Sequence, residues 1–176
     1  MNETALQHDE AWARDHESRV HDAHHETLRL WLRLLTCTSL IERGIRSRLR
    51  TRFQMTLPRF DLMAQLERNP KGLKMGELSR RMMVSGGNVT GITDQLVAEG
   101  LVERRQVTND RRALTVRLTR KGNRAFDHMA TEHERWIEEL MGALGRDEAN
   151  RLYNLLGRLK SSVREREPLA TGKDHR

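Results

Sequence analysis

The chain has 176 residues, enough for one substantial domain or two small ones, with 36% hydrophobic and 32% charged side chains and a formal net charge of +7. No apolar run approaches the ~20 residues that a membrane-spanning helix needs, and the start of the chain, with Glu3, Asp9 and Glu10, lacks a secretory leader pattern. A lone cysteine, Cys37, excludes an intrachain disulfide, so the composition points to a soluble, mainly helical protein of a reducing cytoplasm.

Residues 1–20 are polar, without a sustained apolar stripe, and read as a mobile arm in which Trp12 docks locally. Residues 21–55 read as a dimerisation helix and its connector. From His24 to about Leu49 the apolar residues return at helical spacing, at Leu28, Trp31, Leu32 and Leu35 and then at Ile41, Ile45 and Leu49, while Leu30 and Leu34 widen the stripe. That breadth exceeds what packing on one small domain requires and predicts a second surface, such as a partner subunit. Cys37 is expected to be buried and inert. Trp31, Arg33 and Arg29 offer an aromatic wall and two cations for an anionic aromatic effector, set against a plainer reading as dimer core and solvated arginines. The run Arg43, Arg46, Arg48, Arg50 and Arg52 has three readings: a grip on the phosphates of a large thioester ligand, a contact with DNA, or a solvated helix end.

Residues 56–122 read as a compact DNA-binding domain. Thr56-Leu57-Pro58 starts a helix with Pro58 in a tolerated first-turn position and Phe60, Leu62, Met63 and Leu66 as core, and Asn69-Pro70-Lys71-Gly72 ends it. Two short amphipathic helices follow, one with Met75, Leu78 and Met82 on its apolar side, the other with Val89, Ile92, Leu96 and Val97. Ser85 is the N-cap of the second, which runs over Gly86–Glu99 and ends at Gly100 in a left-handed conformation. Its first turn carries Gly86, Gly87, Asn88 and Thr90, small or hydrogen-bonding residues that let a helix N-terminus approach a nucleic-acid backbone and base edges. A β-hairpin then leads out from Leu101 to Val107, turns over Thr108-Asn109-Asp110-Arg111 and returns through Ala113–Leu118, with Leu114, Val116 and Leu118 expected inward and Thr115 and Arg117 outward.

Residues 123–166 read as C-terminal dimerisation helices. Thr119 is the N-cap of a helix running to about Met141; Gly145 breaks the chain, and Asp147 opens a last helix with Leu152, Leu155, Leu156, Leu159 and Val163 as its stripe. Residues 167–176 read as a frayed tail. Long helices at both ends bury their stripes if two chains pair, which would place two reading helices about 34–36 Å apart, one turn of B-DNA, on a pseudo-palindromic site.

The charge supports a nucleic-acid partner. Residues 70–125 hold 12 basic and 5 acidic side chains, so the whole excess of +7 lies there, as expected of a surface that displaces phosphate counterions. Lys74, Arg80, Arg81, Arg104, Arg105 and Arg111 are the candidate phosphate contacts. Asn88 and Thr90 are the candidate base readers, since asparagine pairs with an adenine edge and threonine meets a thymine methyl; Gly87 and Thr93 complete the predicted contact set, and Arg112 suits a narrow, A/T-rich minor groove.

Taken in order, Leu57-Pro58-Arg59-Phe60, Gly76-Glu77-Leu78, Ser85 to Leu96, Glu99-Gly-Leu-Val-Glu-Arg-Arg105, Asp110-Arg-Arg-Ala113 and Leu118-Thr-Arg-Lys-Gly122 resemble the MarR family of bacterial transcriptional regulators. The resemblance implies a mainly α fold with a small β-hairpin wing, a winged helix-turn-helix domain flanked by N- and C-terminal dimerisation helices, acting as a homodimeric repressor. It also implies a recognition helix in the major groove and Arg112, oriented by Asp110, in the minor groove. Gly86-Gly87 and Met83 depart from it, standing where the family often has longer polar residues and a turn glycine. The segment Leu28–Thr38 is similar to regulators of aromatic-acid catabolism, particularly hydroxycinnamate operons, which implies release by an aromatic acid or its coenzyme A thioester.

Other readings are a peroxide sensor using Cys37, with Arg33 as the nearby cation; a metal site at His21-Asp-Ala-His-His-Glu26, which lacks a further defined ligand; a non-specific architectural DNA binder; and a metal- or redox-dependent enzyme. No phosphate loop, nucleophile elbow or His-Glu-x-x-His pattern is present, so neither catalysis nor a cofactor is expected.

Overall fold

The computed structural model describes residues 25–107 and 110–166, with the backbone alone at 107 and 110–113. In chain order the elements are α1 (Glu26–Phe53), α2 (Leu57–Glu67), β1 (Leu73–Lys74), α3 (Met75–Met82), α4 (Gly86–Ala98), β2 (Val102–Val107), β3 (Asp110–Leu118), α5 (Arg120–Met141) and α6 (Arg146–Arg166). This is the mainly helical fold with a β-hairpin wing that the sequence predicts. The arm at 1–20, the tail at 167–176 and the hairpin residues 108–109 lie outside the described residues, as do His21 and His24 of the metal reading. No helix among the described residues is long and apolar enough to cross a membrane.

The chain divides into two units, one ending at Ile137 and one beginning at Glu138. In the first, Leu49 of α1, Leu62, Met63 and Leu66 of α2, Leu78 of α3, Val89 and Leu96 of α4 and Val116 of β3 form a fully buried core. In α2, Leu66 follows Leu62 by four residues and Met63 by three, and in α4 Leu96 follows Val89 by seven, the spacing of a single helical face. Helix α1 runs one turn past the expected end at Leu49. Gln54, in the left-handed region at φ 53°, closes it, its amide donating to Arg50 O at 3.1 Å while that of Met55 donates to Leu49 O at 3.2 Å.

The sheet has the order β1-β3-β2 and is antiparallel throughout. Strand β1 is unforeseen: two residues carry no period of their own, and their pairing, Leu73 with Val116 and Lys74 with Thr115, comes from across the chain. Gly72 allows it. At φ +88° and with Val116 O only 2.9 Å from where a Cβ would stand, this position suits glycine alone. In β3, Val116 and Leu118 are buried as expected but Leu114 is exposed, because it lies beyond Thr115, where pairing with β1 stops. Arg117 is half-buried and ion-paired rather than simply solvated.

Thr119 caps α5 as predicted, accepting from Gly122 N at 3.0 Å. In the second unit, α6 begins with Gly145 N donating to the Glu148 carboxylate at 2.8 Å, and it buries none of its residues.

Candidate nucleic-acid interface

Helices α3 and α4 meet through a turn built on Met83, which takes a left-handed conformation (φ 53°) with its side chain 90% exposed. The Ser79 hydroxyl donates to Val84 O at 2.6 Å and Val84 N donates to Ser79 O at 3.3 Å, which fixes the angle of the turn. Ser85 then caps α4, its hydroxyl oxygen accepting from Asn88 N at 3.4 Å.

Core packing sets the face that α4 shows to solvent. Val89, Ile92, Thr93 and Leu96 are buried, so Gly86, Gly87, Asn88, Thr90 and Gly91 are turned out. A Cβ built on Gly86, Gly87 or Gly91 meets nothing within 4 Å, so the first turns present nearly bare backbone with Asn88 and Thr90 standing among them. Gly91 is not among the contacts the sequence predicts, although its spacing of four from Gly87 puts it on the same helix face. Thr93 is a correction: the expected contact residue is completely buried and donates its hydroxyl to Val89 O at 2.8 Å, because it falls in the i, i+4 register of the core stripe. Thr90 commits its hydroxyl proton to Gly86 O at 3.0 Å, leaving its methyl group for any apolar contact.

The cations fall into two groups. Lys74 and Arg80 are exposed and carry no ion pair among the described residues. Arg81 pairs with Glu77 at 2.6 Å, Arg104 with Asp94 of α4, and Arg105 with Glu103 at 3.1 Å, a carboxylate that Arg117 also holds at 2.7 Å. Hydrogen bonds from Arg105 and then Arg117 hold the Glu103 carboxyl below the usual carboxylate range. Exposed pairs of this kind are screened by solvent and contribute little, so a phosphate competes with them readily. The side chains of Asp110, Arg111 and Arg112 lie outside the described residues; their backbone belongs to β3.

The predicted effector residues do not converge. Arg29 and Arg33 border a shallow surface groove of about 170 Å³ with Glu26 and Leu30, whereas Trp31, two residues from Arg29, stands on another side of α1. Cys37 is exposed rather than buried. No group of three or more metal-ligating side chains occurs among the described residues. Three members of the arginine run are tied into the fold: Arg46 pairs with Glu42 at 3.5 Å, Arg52 with buried Glu132 at 2.6 Å, and Arg48 lies 6.0 Å from the Trp136 ring centroid.

A family model described as MarR family matches residues 55–114. The transcriptional repressor MprA of Escherichia coli (strain K12) is 32% identical over 95 residues, 54% of each chain, and the HTH-type transcriptional repressor YetL of Bacillus subtilis (strain 168) is 29% identical over 98 residues, 56% of this chain and 59% of that one. The chain thus spans little more than half the length of these curated relatives. Among solved structures, a MarR family transcriptional regulator from Silicibacter pomeroyi is 33% identical with a TM-score of 0.65, covering 81% of this chain and 99% of its own. A variant of Escherichia coli MarR complexed with operator DNA shares the fold, with a TM-score of 0.68 at 24% identity over 79% of this chain and 99% of that one.

Proposed function

The chain belongs to the MarR family, and from that premise we propose that it is a homodimeric, sequence-specific DNA-binding regulator, a repressor released by a small aromatic acid or its coenzyme A thioester. The observation that carries this reading is the start of α4: a helix N-terminus bare of bulky side chains, with Asn88 and Thr90 exposed, preceded in the chain by exposed Lys74 of β1 and Arg80 of α3. Asn88 and Thr90 read bases; Lys74, Arg80, Arg81, Arg104 and Arg105 meet phosphates, three of them by exchanging a carboxylate for a phosphate. Arg112, held by Asp110, enters the minor groove. Pairing of two copies is supported by the apolar residues left exposed on α1 and α6.

A competition gel shift on the promoter region of its own gene tests this. Binding that survives excess random DNA is expected; uniform binding to any duplex would make the protein architectural instead, and no binding at low salt would remove the DNA reading. Thermal-shift screening of phenolic acids and their thioesters tests the effector, because a ligand of the folded state raises the melting temperature. The exposure of Cys37 favours a second reading, release by hydroperoxide through that thiol. Loss of hydroperoxide-induced release in Cys37→Ser would put it in place of the small-acid reading.

A further inference from the structure

The core fixes the rotation of α4 about its own axis, and that rotation groups the side chains it leaves in solvent. Val89, Ile92, Thr93 and Leu96 are buried, and directly opposite them, at steps of four, three and four, stand Gly87, Gly91, Asp94 and Ala98. Three of these four carry at most a methyl group. The fourth, Asp94, is drawn to the hairpin, where Arg104 Nη2 of β2 donates to its Oδ1. The middle of the outward face therefore holds no free side chain long enough to keep the helix off a surface pressed against it.

The longer uncharged polar side chains line the edges of that face. Asn88 and Gln95 are seven residues and about 700° of rotation apart, so they fall within about 20° of one another on one edge, about 10.5 Å apart along the axis. Thr90 stands on the other edge. Asn88 and Gln95 are both exposed, and neither carboxamide has a hydrogen-bond partner among the described residues. Gln95 is not among the contacts the sequence predicts.

A carboxamide donates and accepts side by side. In the major groove adenine presents the matching pair, N6 donating and N7 accepting, whereas guanine shows two acceptors, cytosine a donor, and thymine an acceptor beside a methyl group. Base pairs follow one another at about 3.4 Å, so 10.5 Å of helix spans about three steps, and a helix lying along the groove contacts bases with residues three, four and seven apart. We propose that Gln95 is a second base-reading residue in register with Asn88, so that each copy of α4 lies along the major groove and takes two adenines about three base pairs apart. Gly91, between the two amides, leaves room for the approach: a Cβ there would meet nothing within 4 Å, and none is present to hold the helix off the base edges. The inference rests on the sequence-specific reading above and deepens it by naming the bases.

Selection of binding sites from random duplexes by the full chain tests it. The wild type is expected to enrich half-sites with two A·T pairs about three steps apart. Gln95→Ala relaxes one of them, lowering the preference for adenine there at least about fivefold, and leaves the other; Asn88→Ala does the reverse. Gln95→Glu, an acceptor without a donor, moves the preference at its own position from adenine to cytosine, whose N4 donates. Residue 95 is exposed, and alanine and glutamate are both strong helix formers, so these variants fold, which their melting curves check. In the enriched site, 7-deazaadenine at the Gln95 position removes the N7 acceptor; it weakens the wild-type complex at least about fivefold and leaves that of Gln95→Ala unchanged. If Gln95→Ala enriches the wild-type site, or binds every duplex more weakly with all base preferences kept, as loss of a phosphate contact would make it do, Gln95 reads no base and the inference fails while the regulator reading stands. If the wild type binds duplexes but enriches no sequence, both fall.

Discussion

Leu49 and Leu35 lie on the same helix, fourteen residues and about four turns apart, yet Leu49 is wholly buried and Leu35 is 47% exposed. The C-terminal half of α1 is covered from α5, with Phe53 edge-on to His128 at 5.2 Å and 6.1 Å from Trp136. The N-terminal half leaves Leu28, Leu30, Trp31 and Leu40 exposed, and α6, in its own unit, does the same with Tyr153, Leu155, Leu156, Leu159 and Val163. Periodicity marks which residues are fit for burial, not what buries them. One set of apolar side chains is satisfied within the chain; the other is left partly exposed, the apolar surface on which the proposed pairing of two copies rests.

The sharpest way to break the satisfied region is Gly122→Ala. A Cβ there would stand 1.9 Å from Leu101 O, a backbone atom, so either α5 or the hairpin must move. A loss of more than about 4 kcal/mol is expected, read as a fall in the denaturation midpoint. Leu49→Ala, which leaves a cavity among Leu62, Met63 and their neighbours, is expected to cost about 2–5 kcal/mol whatever the protein concentration. Leu156→Glu is its counterpart: within about 0.5 kcal/mol of wild type for the isolated chain, but shifting the sedimentation equilibrium toward single chains. If Leu156→Glu leaves association untouched, the contrast between the two regions does not extend to α6.

Two smaller effects refine the picture. Met83 holds a left-handed conformation that costs a residue with a Cβ about 1 kcal/mol, so Met83→Gly is expected to stabilise the turn by up to about that amount in chemical denaturation. His133, half-buried against Phe60 at 4.9 Å between ring centroids, has its pKa pushed below the usual 6.5 by burial. The unfolded chain then binds the proton more readily than the folded one, so stability is complete above about pH 6.5 and declines as the pH falls through the folded value. In thermal melts between about pH 7.5 and 5.5, His133→Gln should show a shallower decline than the wild type; an equal decline would place the acid sensitivity elsewhere.

Much of the fold was legible because local chemistry and global packing agree. Ser85, Gly100 and Thr119 punctuate the chain where the sequence places them, and the stripe Val89, Ile92, Leu96 lies on the core. What was illegible required a partner from elsewhere in the chain. Strand β1 exists through Val116 and Thr115, Thr93 belongs to the core because Met75 and Val89 surround its hydroxyl, and three of the basic side chains assigned to phosphates are held by Glu77, Asp94 and Glu103. For the effector, Trp31 and the two arginines are close in sequence but on different sides of α1.

The central claim is that two copies present the start of α4 to successive grooves on one side of a duplex. Hydroxyl-radical footprinting of the full chain on the promoter region of its own gene tests it most directly. Two protected patches on the same face, one helical turn of about 34–36 Å apart and both lost in Asn88→Ala and Arg112→Ala, are the predicted result; a single patch, or even protection along the duplex that both variants retain, would contradict it.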